Sequence, residues 1–448
     1  MRSILFDKLR TLCYRLRGTK GHRPAKHAQK RNRNRTRLAH NRLVLFSIRQ
    51  ATRQEIQEQT MARIVVAMSG GVDSSVAAAL LKEQGHEVIG IMLRLWSEPG
   101  VIEDDGVERV AQNKCCSLES VDDARRVARM LDIPFYLVNV EEEFKTSVVD
   151  MFYEEYVAGR TPNPCLTCNR HIRFTLMLNR ALALDADYMA TGHYVLVDDH
   201  PITGKRRLRR GVDLSKDQSY VLHVLNQQQL AHACFPLGPY TKTEVRAMAA
   251  ERGMTVATKA ESQEICFVAQ NDYRGFINRY AANAIEEQEL VGAGVATATS
   301  TKPLLTLPKP GPIYDLQGNM LGRHRGLAFY TIGQRKGLGL TSLEPLHVLK
   351  IDAIQNALVV GPAAGLEQSN FTVGKVHYLS GETPTAPFEA SARVRYKAPE
   401  VTALVTPLEG NRVNVTLSRP QRAITPGQAA VFYGGADGDE VLCGGIIE

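Results

Sequence analysis

The sequence predicts an α/β protein in which a doubly wound parallel sheet is followed by two smaller β-rich domains. Strand-like and helix-like segments alternate from residue 61 to about residue 275, and a glycine-rich turn joins the first strand to the first helix. Residues 292–448 instead hold short β-type runs broken by Gly, Pro and Asn. Alternating strands and helices are typical of a parallel sheet covered by helices on both faces. We therefore predict a catalytic α/β domain over residues 61–277, a central β-rich domain over 278–364 and a C-terminal β-barrel domain over 365–448.

The first strand-turn-helix unit predicts a phosphate site. An apolar, β-branched run at 63–68 reads as a buried strand, and 76–82 reads as a helix. In the turn between them, residues 69–75, glycines let the backbone approach an anion, and the N–H groups and dipole of the helix start attract it. Asp73 can hold Mg²⁺ against the phosphates. A Walker A loop is excluded because no Gly-Lys-Ser/Thr closes the turn. The alternative is an ordinary turn with a Ser or Asp helix cap.

Later segments supply the rest of the sheet and the β-rich part. We predict strands at 87–93, at 135–140 and at the start of 187–194, and a helix at 122–131 capped by Ser120 or Asp122. Ligands of parallel sheets bind beyond the carboxyl ends of the strands, so the turn at 69–75 and the turn at 191–193 should lie together. The short β-type runs include 328–332, 357–360, 403–405 and 412–417.

Composition indicates an intracellular protein with an unusual N-terminus. The chain has 448 residues, of which 44% are hydrophobic and 23% charged, and we find no apolar stretch long enough to span a membrane. Eight Cys are too few for a secreted disulfide scaffold, so we expect a cytoplasmic location. The net charge of +8 arises from residues 1–60, which hold 16 Lys or Arg and three Asp or Glu, whereas the other 388 residues carry a net charge of −5.

The basic segment 1–60 lacks a steady apolar period, and we expect it to be disordered. Three interpretations stay open. It is an artefact of an upstream start codon, with Met61 as the natural beginning of the compact chain; or an organellar transit peptide; or an arm that binds nucleic acid.

A second cluster of chemically active residues lies at 161–169. Two prolines and two asparagines predict an irregular loop, and this loop carries Cys165 and Cys168 in a Cys-x-x-Cys arrangement. That spacing suits zinc, an iron–sulfur cluster or a redox pair. The adjacent pair Cys115–Cys116 is poorly spaced to complete a zinc knuckle. Taken alone, Cys266 would more often be a buried core thiol.

Together these motifs resemble a known family. The turn at 69–75 resembles the PP-loop of ATP pyrophosphatases, which have an adenine nucleotide alpha hydrolase-like fold. From Met61 to the C-terminus, about 390 residues, the chain resembles the tRNA-specific 2-thiouridylases of the MnmA family. The strings that carry this resemblance are 69–75, 161–169, 190–194, 216–220, 264–267, 330–339, 395–396 and 426–428.

The resemblance implies the substrates and the site residues. ATP, with Mg²⁺, would bind Ala67, Met68, Ser69, Gly70, Gly71, Val72, Asp73, Ser74, Leu93 and Gly192. The tRNA partner would contact Asn163, Pro164, Cys165, Lys216, Asp217, Gln218, Arg395 and Tyr396, with His193 and Gln428 supporting the site.

The resemblance also implies a reaction. ATP would adenylate the C2 oxygen of the wobble uridine (position 34), because a carbonyl oxygen is a poor leaving group. A persulfide sulfur-donor protein would load Cys266, and that sulfur would replace AMP, giving 2-thiouridine. Cys168 would be the nucleophile that releases the sulfur or forms a disulfide with Cys266.

Alternatives remain open for both the chemistry and the function. Many family members carry Asp at the position of Cys165, which favours Cys168 as the nucleophile. Cys165, Cys168 and Cys266 could together hold a [4Fe–4S] cluster with one open iron. A PP-loop amidotransferase-type ligase that adenylates a small metabolite would not need these thiols. An RNA-binding protein that only retains nucleotide binding would not need Asp73.

Overall fold

We describe the protein from a computed structural model of the chain. The structure describes residues 61–102, 108–111, 117–261, 265–292 and 308–448. The predicted extension over 1–60, the Cys115–Cys116 pair and residue 264 of the string 264–267 lie outside these described residues. Residues Met61–Glu448 form one compact unit.

The predicted parallel sheet is present and is built from buried apolar runs. It has five parallel strands in the order β5-β2-β1-β6-β9. Their bounds are β1 Arg63–Ala67, β2 Glu87–Arg94, β5 Phe135–Asn139, β6 Tyr188–Ala190 and β9 Ala233–Cys234. The chain adds β2 and β5 on one side of β1 and then β6 and β9 on the other, so the strand order reverses between β1 and β6. A ligand crevice is expected at that reversal, beyond the carboxyl ends of the strands.

Helices cover both faces of this sheet. Apolar residues of Val72–Glu83, Leu118–Met130 and Lys242–Glu251 pack together on one face, and the helical segment 164–182 packs on the other. The helix predicted at 122–131 begins earlier, at Leu118, and its cap is Ser117, whose hydroxyl accepts from the Ser120 amide at 3.3 Å. The predicted caps Ser120 and Asp122 are therefore wrong, because both lie inside the helix.

The helices are α1 Val72–Glu83, α2 Leu118–Met130, α3 Glu141–Phe144, α4 Asp150–Val157, α5 Pro164–Thr167, α6 Leu178–Leu182, α7 Ser219–Leu222, α8 Gln227–His232, α9 Lys242–Glu251 and α10 Tyr273–Gly292. π-Helical stretches at Lys145–Val149 and Cys168–Met177 continue α3 and α5. Short 3₁₀ turns occupy Thr255–Thr258, Ala269–Asn271, Leu327–Phe329 and Ala363–Leu366. Within the described parts of the chain, no helix is both long and apolar enough to cross a membrane.

The C-terminal half forms two antiparallel-rich sheets. The first sheet consists of β10 Gly311–Tyr314, β11 Met320–His324, β12 His347–Asp352 and β13 Ala357–Gly361, in the order β11-β10-β13-β12. The strands of the larger sheet are β7 Val195–Asp199, β8 Arg206–Arg210, β14 Glu367–Tyr378, β15 Phe388–Arg393, β16 Val401–Leu408, β17 Arg412–Arg422, β18 Ala429–Gly434 and β19 Glu440–Ile447. Their order is β14-β17-β16-β15-β18-β19-β8-β7, and β14 also pairs with β19, so β14 to β19 close into a barrel that β8 and β7 extend. The remaining strands are β3 Glu98–Ile102 and β4 Glu108–Ala111.

Three features of the fold differ from the simplest sequence pattern. The run 328–332 is not a strand, because Leu327–Phe329 form a buried 3₁₀ turn in the core that α10 shares with the central sheet. Strand β8 belongs to the N-terminal half of the chain but joins the barrel sheet, where its arginines pair with carboxylates such as Asp198, Glu400 and Asp439. The helix α10 runs through residue 277, where we placed the first domain boundary.

Candidate active site

The turn after β1 has the geometry of an anion-binding loop. Gly70 has a φ of +67°, and a side chain there would place its Cβ 2.1 Å from the Ser120 carbonyl oxygen. The Ser74 hydroxyl accepts from the Ser69 amide at 3.1 Å and lies 3.2 Å from the Gly71 carbonyl, to which it donates. These bonds fold the turn tightly around the start of α1, where the first N–H groups of a helix lack partners within the helix and favour an anion.

The second predicted turn meets this loop directly. A Cβ on Gly192 would lie 2.9 Å from the backbone carbon of Asp73 and 2.9 Å from the Ser74 nitrogen. Only glycine permits this approach, because the backbone of Asp73 and Ser74 and the Cβ of Asp73 cannot move aside. On the other side of the loop, Leu93 lies near the end of β2, the strand that neighbours β1. The structure thus gathers residues 67–74, Leu93 and Gly192 around the carboxyl ends of β1, β2 and β6.

Asp73 is held by two residues that lie far away in the sequence. Nζ of Lys242 is 2.7 Å from both carboxylate oxygens of Asp73. The Tyr194 hydroxyl donates to the same carboxylate at 2.7 Å, and burial, together with Asp73, raises the pKa of Tyr194 well above its usual range. The Lys242 side chain is only 10% exposed, whereas that of Asp73 is 33% exposed. Sequence reasoning missed Lys242; its only local signal is the capping box of Thr241 and Glu244, which marks a helix start.

A second lysine lies at the other side of the turn. Nζ of Lys259 is 2.7 Å from Asp123, and 3.3 Å from both the Gly70 carbonyl oxygen and the Ser120 hydroxyl. Two lysines from distant segments therefore flank a glycine-rich turn that has no lysine of its own. Such an arrangement attracts the negative charge of a phosphate chain.

Glu261 connects this charge cluster to the predicted tRNA segment. Its carboxylate is 3.3 Å from Lys242 and 2.7 Å from Lys216. The side-chain oxygen of Gln218 accepts from the Tyr194 backbone amide at 3.0 Å, and the backbone amide of Gln218 donates to the Tyr194 carbonyl at 3.2 Å. Residues 216–218 thus lie against the Asp73 site.

The other predicted tRNA residues differ in exposure. Asp217 is buried, accepts from the Ser219 hydroxyl and lies 3.5 Å from Arg393. Its carboxylate therefore holds neighbouring residues of the protein in place. Arg395 and Tyr396 are exposed. Burial raises the pKa of the Tyr396 hydroxyl, and the nearby Asp217 and Cys165 raise it further. Tyr396 therefore lies near the predicted cysteine segment.

That cysteine segment is helical, and the predicted irregular loop is wrong at both thiols. Asn163 is the N-cap of α5, where its side-chain oxygen accepts from the Cys165 amide at 3.1 Å, and Pro164 occupies the first turn. Proline is tolerated there because its missing N–H would have no partner in the helix. Cys165 is exposed within α5, and Cys168 begins the π-helical stretch.

Gln428 holds the approach to this helix. Its side-chain amide donates to the carbonyl of Thr161 at 2.9 Å and to that of Pro162 at 3.3 Å. Gly427, with a φ of +91°, leaves room for Thr161, since a Cβ there would lie 2.8 Å from the Thr161 nitrogen. The barrel therefore fixes the chain just before Asn163, which gives the predicted supporting role of Gln428 a structural basis.

His193 lies between the turn at residues 69–75, called the nucleotide turn for its predicted ligand, and the helical segment 164–177, called the cysteine helix. Burial, with a second contribution from Arg173, lowers its pKa to about 3, so the ring is neutral. Nε2 lies 3.4 Å from Arg173 and Nδ1 lies 2.7 Å from the Thr191 hydroxyl. Because a guanidinium only donates, Nε2 must accept and Nδ1 carries the proton. His193 is thus a neutral supporting residue rather than a proton shuttle at neutral pH.

Cys168 and Cys266 are both half-buried and pack against the same apolar cluster. Residues 262–264, which precede Cys266 closely, lie outside the described part of the chain. Among the described residues, no three His, Cys, Asp or Glu side chains are grouped so that they could hold a metal ion. The [4Fe–4S] alternative for Cys165, Cys168 and Cys266 stays a prediction.

Comparison with known proteins agrees with this architecture. Family models match as a tRNA methyl transferase HUP domain over residues 62–270, a tRNA methyl transferase PRC-barrel domain over 305–362 and an aminomethyltransferase beta-barrel domain over 368–447. The tRNA-specific 2-thiouridylase MnmA of Moorella thermoacetica is 49% identical over 385 residues, covering 86% of this chain and 99% of that protein. The protein of the same name from Roseiflexus castenholzii is 47% identical over 401 residues, with the same shares of both chains. The chain therefore belongs to the tRNA-specific 2-thiouridylase family.

Proposed function

We propose that this protein is a tRNA-uridine 2-sulfurtransferase that uses ATP to convert the wobble uridine (position 34) to 2-thiouridine. The observation that carries this proposal is the direct contact between the anion-binding turn and the Gly192–His193 turn, which in turn adjoins the Cys168 helix. Activation by ATP and attack by sulfur need these two groups of residues side by side. The names of the relatives support the same substrate.

In the first step, the C2 oxygen of the uridine attacks the α-phosphate of ATP, and pyrophosphate leaves. The N–H groups at the start of α1 bind the phosphates, and Lys242 and Lys259 neutralise charge that develops on them. Asp73 is the carboxylate that would hold Mg²⁺ beside the phosphates, which requires that Lys242 turn away from it. Mg²⁺ would supply charge neutralisation there. Lys242 would then be available for a phosphate oxygen.

In the second step, the terminal sulfur of a persulfide on Cys266 attacks C2 and AMP leaves. The Cys168 thiolate then attacks the Cys266 sulfur, which releases the thiocarbonyl and leaves a Cys168–Cys266 disulfide. A thiol reductant restores both thiols. A separate persulfide-bearing protein in the cytoplasm would supply each sulfur atom. The packing of Cys168 and Cys266 against the same apolar cluster supports this route.

Two other activities have less support. A PP-loop ligase for a small metabolite needs the nucleotide turn but neither Cys168 nor Cys266. The descriptions of the matching family models name methyl transfer. That reaction needs no adenylation, so it does not account for the charged residues around Asp73. Thiolation uses both groups of residues.

The test is thiolation of unmodified tRNA with ATP, Mg²⁺ and free sulfide or a persulfide donor, read by mass spectrometry of nucleosides. Cys168→Ser and Cys266→Ser should each abolish donor-dependent 2-thiouridine while tRNA-dependent pyrophosphate release continues. Cys234→Ala is the matched control, since Cys234 is a half-buried thiol on β9 whose pKa burial raises to about 11. Full donor-dependent thiolation by Cys266→Ser would refute the persulfide route, and absence of 2-thiouridine with the wild-type protein would refute the function.

A further inference from the structure

The two proposed half-reactions lie on different elements, and a short chain of side chains joins them. Gly192 touches the backbone of Asp73 and Ser74, and the neighbouring His193 is reached by Arg173 of the π-helical stretch Cys168–Met177. Building on the proposed function, we propose that Arg173 is a positioning residue that couples the nucleotide turn to the placement of Cys168. It acts through its neighbours and does not touch the reacting atoms.

One nitrogen of Arg173 makes two of the side-chain contacts that join the two groups of residues. Its Nη1 donates to the side-chain oxygen of Asn169 at 3.0 Å and lies 3.4 Å from Nε2 of His193. Asn169 directly follows Cys168, is 1% exposed, and donates through Nδ2 to the Val221 carbonyl at 3.0 Å. A displacement of the guanidinium therefore moves the residue next to the proposed nucleophile.

At the other end, Arg173 depends on the state of His193. The guanidinium has only donors, so the contact requires a neutral ring with an unprotonated Nε2. The burial of His193 and its bond to Thr191 favour that form. Because Thr191 and Gly192 belong to the turn that touches Asp73, a shift of the nucleotide turn is transmitted to His193 and from there to Arg173.

The helical geometry makes this bracing necessary. Ten consecutive residues, Cys168–Met177, are π-helical. Long π-helical runs are rare and recur at functional sites. Side chains hold this one: the Thr175 hydroxyl donates to the Arg170 carbonyl at 2.6 Å, and Gln229 donates to the Phe174 carbonyl at 2.7 Å. Arg173 and Asn169 supply side-chain contacts at the end that carries Cys168. We expect their loss to loosen the placement of the Cys168 thiol relative to the activated base.

The test measures coupling, as the ratio of pyrophosphate released to 2-thiouridine formed at saturating ATP and tRNA. In the wild-type protein this ratio should be about one. In Arg173→Met, adenylated tRNA should form at a normal rate, but sulfur should attack it slowly. Water should then hydrolyse it to AMP and unmodified tRNA. We expect the ratio to rise about tenfold or more, since small displacements of reacting groups cost that much. Pyrophosphate release should stay within about threefold of the wild-type rate.

Matched variants separate positioning from folding. Arg180→Met removes an arginine from α6, where it forms an exposed ion pair with Glu143 at 3.3 Å, and should leave the ratio unchanged. Arg173→Lys should recover part of the coupling. His193→Gln should raise the ratio as Arg173→Met does, and the double variant should be no worse than either. A proportional loss of both activities in Arg173→Met and Arg173→Lys, or an unchanged ratio, would overturn the role of Arg173. A wild-type protein that forms no 2-thiouridine would instead refute the proposed function.

Discussion

Replacing Lys242 by methionine keeps an unbranched side chain but removes the ammonium group 2.7 Å from both carboxylate oxygens of Asp73. At that distance and an effective dielectric constant of about 20, the Coulomb attraction is about 6 kcal/mol. Solvent screens part of it, because the Asp73 side chain is 33% exposed. Desolvation of the two ions offsets more of it. We therefore expect Lys242→Met to lower the free energy of unfolding by about 2 kcal/mol, less than the loss of a fully buried partner.

The effect on catalysis should be larger than the effect on stability. If Lys242 neutralises phosphate charge in the adenylation step, its loss should slow tRNA-dependent pyrophosphate release about 10²- to 10³-fold. The double variant Asp73→Asn/Lys242→Met should recover stability, because it leaves no unpaired charge, but should recover no activity. Unfolding by urea, followed by circular dichroism, gives the first quantity, and a pyrophosphate assay at saturating tRNA gives the second.

Arg252→Met is the control for a general loss of an ion pair. Arg252 pairs with Glu83 at 2.7 Å on the surface, where the Glu83 side chain is 52% exposed. We expect a stability loss below about 1 kcal/mol and normal pyrophosphate release. The reasoning about Lys242 is refuted if Lys242→Met releases pyrophosphate at the wild-type rate, or if Arg252→Met slows it as much.

Three other residues, Gly192, Gln428 and His223, can each be tested by a single substitution. Gly192→Ala should weaken ATP binding about tenfold or more, measured by calorimetry, since its Cβ would collide with the backbone of Asp73. Gly204→Ala is the control for backbone strain alone, because Gly204 has a φ of +67° but open space at the Cβ, and it should leave ATP binding unchanged. Gln428→Ala should reduce thiolation while ATP binding stays normal, because it releases the carbonyls of Thr161 and Pro162 that position the cysteine helix; unchanged thiolation would contradict this. Burial lowers the pKa of His223 to about 4, so between pH 6.5 and pH 4 this histidine binds more protons in the unfolded chain than in the folded one. Its contribution to the free energy of unfolding therefore falls by about 2 kcal/mol from pH 7 to pH 5, and the buried His193 acts in the same direction. Urea unfolding at both pH values checks this, and His223→Gln should reduce the slope.

Local sequence patterns were enough to predict the fold class and the family. The buried strand, the Gly-Gly turn and the helix start at 63–83 are a local signal, because each depends on the residues within a few positions of it. The alternation of strands and helices then predicted the parallel sheet, which is confirmed. The roles of the individual site residues stay predictions.

The predicted local structure was wrong where a short sequence pattern is compatible with two different local structures. Proline and asparagine at 162–164 predicted a loop, yet the same residues are a favourable helix start, with Asn163 as the cap and Pro164 in the first turn. The run 328–332 has strand composition, but burial of Leu327 and Phe329 against α10 turns it into a 3₁₀ segment. Packing against distant elements decides such cases.

The sequence by itself indicated the chemistry that we propose for this protein: a turn with the pattern of a phosphate site, and thiols proposed to carry sulfur. Only the tertiary structure decided which charges and side chains surround them. Lys242 meets Asp73 across 169 positions of the chain, and Gln428 reaches Thr161 across 267. No local pattern encodes such pairs, because a side-chain contact depends on where the folded backbone places both residues, and that placement is set by the packing of the whole core.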